Sequence, residues 1–470
     1  MTTAAAHSTD YSLGFSSLSD EVVLEELPLR GAVPEWLNGS LLRTGPARFE
    51  AGNQKMRHWF DGQAMLHRFS IAGGKVAYAN RFLEGRAYRA AEEKGEIAYG
   101  EFATDPCRSL FKRVQSLFAP GFSDNANVNV TKLGERFVAM TETPIPVEFD
   151  ADTLAAAGVA PYEVPGHLTT AHPHRARSTG AMLNYAAKLG PRSSYRFFEV
   201  GPDASRPTVV GSVPVREPAY MHSFGLSERW FVLAEFPFVV NPLRLALQSR
   251  PYIENYRWEP QRGTRFTLVD RRNGEAVGGF EADACFGFHH VNAFDGDGGV
   301  SVDICVFPDA GVIEDLYLDR LRDGKPVAGA ELVRFTLDLE RRTVTRRPLS
   351  DQLLELPRIA YGRCNELPHR YVWGVDLGES GWVERIVKVD TDDGSTLTWA
   401  RPGCSPGEPV FVARPGAEAE DDGVLLSVVL DTERETSFLL VLDAASLEEV
   451  AGAEAPHHIP FSFHGQFFRD

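Results

Sequence analysis

Over about 400 residues the chain repeats one local pattern, a turn-forming cluster followed by a short run of alternating or continuous apolar positions. In HWFDGQAMLHRFSIAGGKVAYANRF, residues 58–82, Met65, His67 and Phe69 fall on one face of a strand. Gly73 and Gly74 then make a turn and Val76 to Tyr78 resume, which predicts a β-hairpin. The same grammar introduces RFVAMTE at 136, WFVLAEF at 230, VSVDICVF at 300, VLLSVVLD at 424 and SFLLVLDA at 437. So many short strands with few long helices predict an all-β, radial array whose strand edges are covered by its own neighbours, a β-propeller. There is no repeat of the WD or kelch kind. Three segments have helical spacing instead: 106–118, 241–248 and 311–322. They are expected as cap helices over the β core. Residues 1–20, small and polar, are expected as a flexible leader, and 21–470 as one propeller domain with its cap.

Composition narrows the function. The 43% hydrophobic and 24% charged residues are ordinary globular values, but 30 phenylalanines point to a large core or an apolar cavity. A formal charge of −17 excludes the basic footprint that nucleic acid requires. Five scattered cysteines without a CxxC pair argue against a disulfide scaffold and against a zinc ribbon. The first ten residues carry neither a basic region nor an apolar one, and no apolar run reaches the ~18 residues of a membrane span. A cytoplasmic location is therefore expected. Within 107–122, phenylalanine and leucine stand beside Lys112 and Arg113, an expected peripheral contact with a membrane surface.

The candidate chemistry lies in histidines. His172, His222 and His289 each stand near a predicted strand end, and His464 stands among Phe461, Phe463, Phe467 and Phe468 in the last ten residues. No HExxH-type spacing links them, and each alone also fits a hydrogen-bonded core histidine. A propeller brings its inner strands to one axis, where one histidine from each of several blades can meet. Four neutral imidazoles would suit iron, copper, nickel or zinc. Carboxylates behind them would take up the ring N–H groups, and Glu142, Glu355 and Glu408, in apolar or proline-bounded contexts, are the candidates.

PEWLNGSLLRTGP, HWFDGQAMLHRF, DNANVNV, AMTETP, TTAHPH, YMHSFGL, FHHVNAF with VDICVF, ELPRIAYG, GEPVFVARP with EDDGVLLSVVLD, and IPFSFHGQF occur in that order from about residue 25 to the C-terminus. Together they resemble the carotenoid cleavage oxygenase family, with DPCRSLF, FHHVNAF and EDDGVLLSVV most similar to its branch of β-carotene oxygenases and retinoid isomerase. The resemblance implies a seven-bladed β-propeller with helices over its top face and Fe2+ on the axis. It places the iron ligands at His172, His222, His289 and His464, and the outer carboxylates at Glu142, Glu355 and Glu408. His174, His290, His58 and His67 do not match ligand positions.

The activity so implied is that of a dioxygenase, in which O2 splits one conjugated double bond of a carotenoid or apocarotenoid into aldehydes, with retinal among the expected products. Catalysis then needs no side chain beyond the metal site. Phe288, Thr141 and Leu356 are expected to touch the substrate. Thr141 stands where stilbene-cleaving members carry lysine, which counts against a phenolic stilbene. A stilbene-cleaving dioxygenase, a retinoid isomerase and a non-catalytic carotenoid carrier are the alternatives. Cys107 falls at a position that is lipid-modified in that branch.

Overall fold

A computed structural model describes residues 11–105, 122–201, 206–247, 250–378 and 380–469. Seven antiparallel sheets form the seven blades of a β-propeller. The hairpin expected at 58–82 is the pair Gln63–Ala72 and Lys75–Phe82, turned at Gly73 and Gly74, whose φ values of 55° and 76° no β-branched residue would hold comfortably. The other expected runs are the strands Arg136–Met140, Trp230–Glu235, Gly299–Val306, Gly423–Asp431 and Thr436–Asp443.

Burial shows the radial order within a blade. In the fourth blade Trp230–Glu235 is buried throughout, whereas the last strand, Ala276–Ala282, is largely exposed. The fifth and sixth blades likewise end in the exposed strands Thr343–Leu353 and Thr396–Ala400. Continuous apolar runs therefore belong to strands packed on both faces, and mixed runs to the rim.

The ring closes twice. The C-terminal strand Gly465–Phe468 pairs with Gly39–Arg48 as the inner edge of the first blade, in the register Ser40↔Phe468 to Arg43↔Gly465. The N-terminal strand Leu29–Gly31 pairs with Glu449–Glu454 at the outer edge of the seventh. Gly465 must be glycine, because a β-carbon would run into the Arg43 side chain and lie 2.9 Å from the Leu42 carbonyl oxygen.

Three expectations meet a different outcome. The segment 11–20 is docked rather than loose: Tyr11–Phe15 forms a 3-10 turn, and the Phe15 ring packs against Trp59, Trp382 and Phe461. The helix expected at 311–322 is two short ones, Gly311–Asp315 and Leu318–Arg322. It breaks because Leu316 gives its carbonyl to the Trp59 N–H and Tyr317 pairs with His58. The helix Pro242–Leu247 lies where one was expected, but Arg86–Lys94 was not foreseen. The helix expected at 106–118, Cys107 and all of the 107–122 patch except Phe122 lie outside the described residues. No described helix is long and apolar enough to cross a membrane. Cys285, Cys305, Cys364 and Cys404 are buried and unpaired with one another.

Candidate metal centre

Each blade delivers one residue to the axis. The inner strands of the first, third, fourth and fifth blades bring His464, His172, His222 and His289, each at or just before a strand start. Glu142 follows the second strand of the second blade, Glu355 opens the sixth blade, and Glu408 lies between the two inner strands of the seventh. One ligand atom from each of the four histidines lies within 4.8 Å of every other.

The ring orientations are fixed from behind. His222 Nδ1 donates to Glu142 Oε1 at 2.7 Å, His289 Nδ1 to Glu355 Oε2 at 2.5 Å, and His464 Nδ1 to Glu408 Oε1 at 2.6 Å. A carboxylate accepting at Nδ1 puts the ring proton there and leaves the Nε2 lone pair facing the axis. His172 Nε2 is 3.0 Å from His222 Nε2, and His289 Nε2 is 3.1 Å from His464 Nε2. For the His289–His464 pair both Nδ1 protons are committed, so two lone pairs face each other. Only a cation between them makes that arrangement favourable. Ligand nitrogens ~2.1 Å from an ion and at right angles would be ~3.0 Å apart, whereas tetrahedral ones would be ~3.4 Å apart. The four residues fit a metal ion with near-right-angle ligands better than a tetrahedral zinc site.

Burial favours the neutral form of the His172 and His464 rings. Burial, helped by the neighbouring rings of His464, His222 and His289, pushes the His172 pKa well below its ordinary value. Burial also brings His464 down to about 4, against the pull of Glu408. Burial works to raise the Glu408 pKa, but Arg358 and His464 outweigh it and hold the carboxyl below the usual carboxylate range. Arg358 Nη2 donates to Glu408 Oε2 at 2.9 Å and also to the Gly465 carbonyl. The Gly465 N–H completes Glu408 at 3.0 Å. Leu356, at a φ of 48°, turns its N–H back onto Glu355 Oε2 at 2.6 Å. This left-handed leucine costs roughly 1–2 kcal/mol and aims the carboxylate at His289.

Several supporting residues escaped the sequence reading. Tyr220 donates its hydroxyl to Glu142 Oε1 at 2.7 Å, so one oxygen serves both Tyr220 and His222. Thr170 receives the His172 N–H at 3.0 Å and donates to the His222 carbonyl, tying two histidine loops together. Asn129 and Asn184 hold the same loop through the Ala171 and Thr170 carbonyls, at 2.8 and 3.0 Å. The run DNANVNV was a signal for such anchors, since Asn127 likewise binds the Phe60 and Gly62 carbonyls. His174, His290, His58 and His67 are engaged with Tyr361, Ser223, Ile313 and Tyr78 and take no part in the cluster.

A cavity of about 250 Å³ opens beside the cluster, with His222, His289 and His464 in its wall. Its lining is mainly aromatic and aliphatic, including Phe60, Phe102, Phe307 and Trp382. Phe288, Thr141 and Leu356 also line it.

A family profile described as retinal pigment epithelial membrane protein matches residues 15–469. The chain is 33% identical to a mitochondrial carotenoid-cleaving dioxygenase of Macaca fascicularis, over 93% of this chain and 90% of that one. It is 34% identical to a carotenoid isomerooxygenase of Galleria mellonella, over 95% and 94%. With a beta,beta-carotene 15,15'-dioxygenase of Rattus norvegicus it shares 32%, over 94% and 89%. A solved variant of Synechocystis apocarotenoid oxygenase superposes with a TM-score of 0.87 at 26% identity, over 98% of this chain and 99% of that one. The cobalt-substituted form of the Synechocystis protein superposes at 0.86, with the same identity and coverage.

Proposed function

The chain belongs to the retinal pigment epithelial membrane protein family, the group of the carotenoid cleavage oxygenases, and from that premise we propose that it is a non-haem iron(II) dioxygenase cleaving one conjugated double bond of a carotenoid or apocarotenoid to aldehydes, retinal among them. The observation that carries this reading is the facing pair of His289 and His464 lone pairs, 3.1 Å apart in the wall of an apolar cavity. Ferrous iron held by His172, His222, His289 and His464 would supply the O2 chemistry that no side chain of the site can perform. The protein's own contribution is positional. Glu142, Glu355 and Glu408 keep the three Nδ1 protons away from the axis, and the rigid blade ends keep the four rings in place. Phe288, Thr141 and Leu356 would hold the polyene against the cluster, and the apolar wall would keep water from the reacting bond. The peripheral membrane contact through 107–122 belongs to the same proposal, since a long apolar polyene partitions from water into lipid.

The test is direct. Iron-loaded protein is incubated under O2 with carotenoids, apocarotenoids, a stilbene and a retinyl ester, and products are identified by mass. Aldehydes from a polyene, with O2 consumed and none without iron, support the reading. Binding of a polyene with neither O2 uptake nor aldehydes would make the chain a carrier and overturn it. One relative is named an isomerooxygenase, so the double-bond geometry of each product is read in the same assay.

A further inference from the structure

One part of the cavity wall carries two polar atoms that the metal centre does not use. Both belong to one hairpin of the sixth blade, in which Tyr371–Leu377 runs antiparallel to Val383–Asp390. Asp376, 3% exposed, and Trp382, 4% exposed, line the cavity together with Val375, Leu377 and Val383. The Gly378 N–H donates to the Trp382 carbonyl at 2.8 Å and holds the turn between the two strands. The Trp59 ring lies 5.4 Å from Trp382 and 4.3 Å from Phe463, the residue before His464. An aromatic layer therefore stands between this wall and the histidine cluster. A substrate group at the wall would lie along the polyene from the reacting bond rather than on it.

The Asp376 carboxylate is tied on one side. Gln352 Nε2 and Arg385 Nη1 both donate to Oδ2, the latter at 3.2 Å. Oδ1 is buried and has no hydrogen-bond partner among the described residues. The Leu377 N–H lies close to the carboxyl, but a carboxylate offers about four acceptor positions, so at least one stays open. The Trp382 indole N–H is likewise buried without a partner among the described residues. The indoles of Trp59, Trp373 and Trp399, by contrast, donate to the Phe461 carbonyl, the Ala444 carbonyl and Glu449. An indole N–H donates and never accepts, and an ionised carboxylate accepts and never donates. Leaving both unpaired in an apolar wall has a cost that a hydrocarbon substrate cannot offset. A hydroxyl, which donates and accepts, satisfies either atom or both, whereas a carbonyl oxygen satisfies the indole alone.

We propose that Asp376 and Trp382 form a subsite for a hydroxyl on the end group of the polyene, and so select hydroxylated polyenes over the corresponding hydrocarbon. The inference rests on the polyene-cleaving reading above and deepens it by naming the substituent.

The test compares kcat/KM, in iron-loaded protein, for an apocarotenoid with a ring hydroxyl, its ring ketone and its counterpart with an unsubstituted ring. The wild type is expected to favour the hydroxyl compound over the unsubstituted one by about tenfold, mainly through KM. Asp376→Leu is expected to remove most of that preference. Asp376→Asn can keep its oxygen on Gln352 and Arg385 and turn its NH2 to the open side, so the ketone should gain on the hydroxyl compound. Trp382→Phe keeps an aromatic ring without the N–H and should lower the hydroxyl and ketone compounds alike against the unsubstituted one. Iron content is measured in each variant, because a lost metal lowers all three rates by one factor and leaves their ratios unchanged. If Asp376→Leu does not accumulate folded, Asp376→Asn and Trp382→Phe carry the comparison. A wild type that treats the hydroxyl and unsubstituted compounds alike, or variants that keep the wild-type ratios, overturns this inference alone. A wild type that cleaves none of the three overturns the reading of the reaction, and this inference with it.

Discussion

His289 and His464, 175 residues apart in the chain, face each other across the propeller axis with their Nε2 atoms 3.1 Å apart and both Nδ1 protons given to glutamates. Two lone pairs held at that distance repel unless a cation lies between them. Single replacements of His172, His222, His289 or His464 by alanine should each lower bound iron by about tenfold or more, measured by metal analysis of purified protein. Because cobalt has been placed in a solved relative, its visible spectrum offers a second readout, which each variant should lose. Four variants that all keep full metal would remove the basis for the site.

The three carboxylates are not equivalent. Glu408 is 1% exposed and also carries Arg358 and the Gly465 N–H, whereas the Glu142 side chain is 16% exposed. Glu408→Gln leaves the half-buried Arg358 guanidinium without its counter-charge, so it should cost about 3 kcal/mol of stability as well as metal affinity. Glu142→Gln should cost metal affinity by about 10–100-fold with a much smaller change in melting temperature. Thermal melts of metal-free protein separate the two effects. Equal melts for both variants would contradict the ranking.

Residue type made the centre readable in the sequence, and geometry did not. Histidine and glutamate stand out in apolar, proline-bounded strand ends, so His172, His222, His289, His464, Glu142, Glu355 and Glu408 could be picked before any contact was known. Tyr220 and Thr170 could not, because a tyrosine or threonine beside a strand has many uses, and their role comes from a partner in another blade. The same holds for Tyr11–Phe15. Its polar neighbours read as a loose leader, but Phe15 fills a pocket of Trp59, Trp382 and Phe461, residues far along the chain. The break at Leu316–Tyr317 arises likewise, since helical periodicity is local and the competing bonds from Trp59 and His58 are not.

Acid should destabilise the metal-free fold. Burial brings His58, His67 and His290 down to about 3, and His174 and His457 down to about 4. Each binds a proton in the unfolded chain near its ordinary value of 6.5 but not in the folded one until pH falls much further. Between about pH 6.5 and 4 the unfolded state therefore holds more protons, and stability falls as pH falls, by ~1.4 kcal/mol per pH unit for each such proton. Asp61 opposes this, since burial raises its pKa to about 6 and it gains its proton earlier when folded, and burial raises Glu101, Glu235, Asp295 and Asp376 in the same direction. With nine lowered histidines against five raised carboxyls among the described residues, the melting temperature of metal-free protein should drop from pH 7 to pH 5. His67→Gln should flatten that slope. A melting temperature that rises toward pH 5 would show that the acids dominate.

The C-terminal strand does two jobs, and they can be separated. Residues 461–469 supply His464, pair with Gly39–Arg48, and place Phe461 against Phe15 and Trp382 at 5.2 Å each. Phe463 packs 4.3 Å from Trp59, and the Trp59 indole donates to the Phe461 carbonyl at 3.0 Å. Arg43, 1% exposed, spends one guanidinium nitrogen on Ser462 Oγ and the Phe463 carbonyl, each at 3.1 Å. Deleting 461–470 removes these contacts together with the ligand. It leaves Arg43 buried beside an open edge on Gly39–Arg48. His464→Ala removes only the ligand and keeps the strand. The substitution should therefore lose metal while melting, metal-free, within a few degrees of the metal-free parent chain. The deletion should lose metal and also melt far lower, or associate through the exposed edge, as size-exclusion chromatography would report. If the truncated chain stays monomeric with the melting temperature of His464→Ala, the strand is not what closes the ring. If it binds iron at full occupancy, His464 is not a ligand.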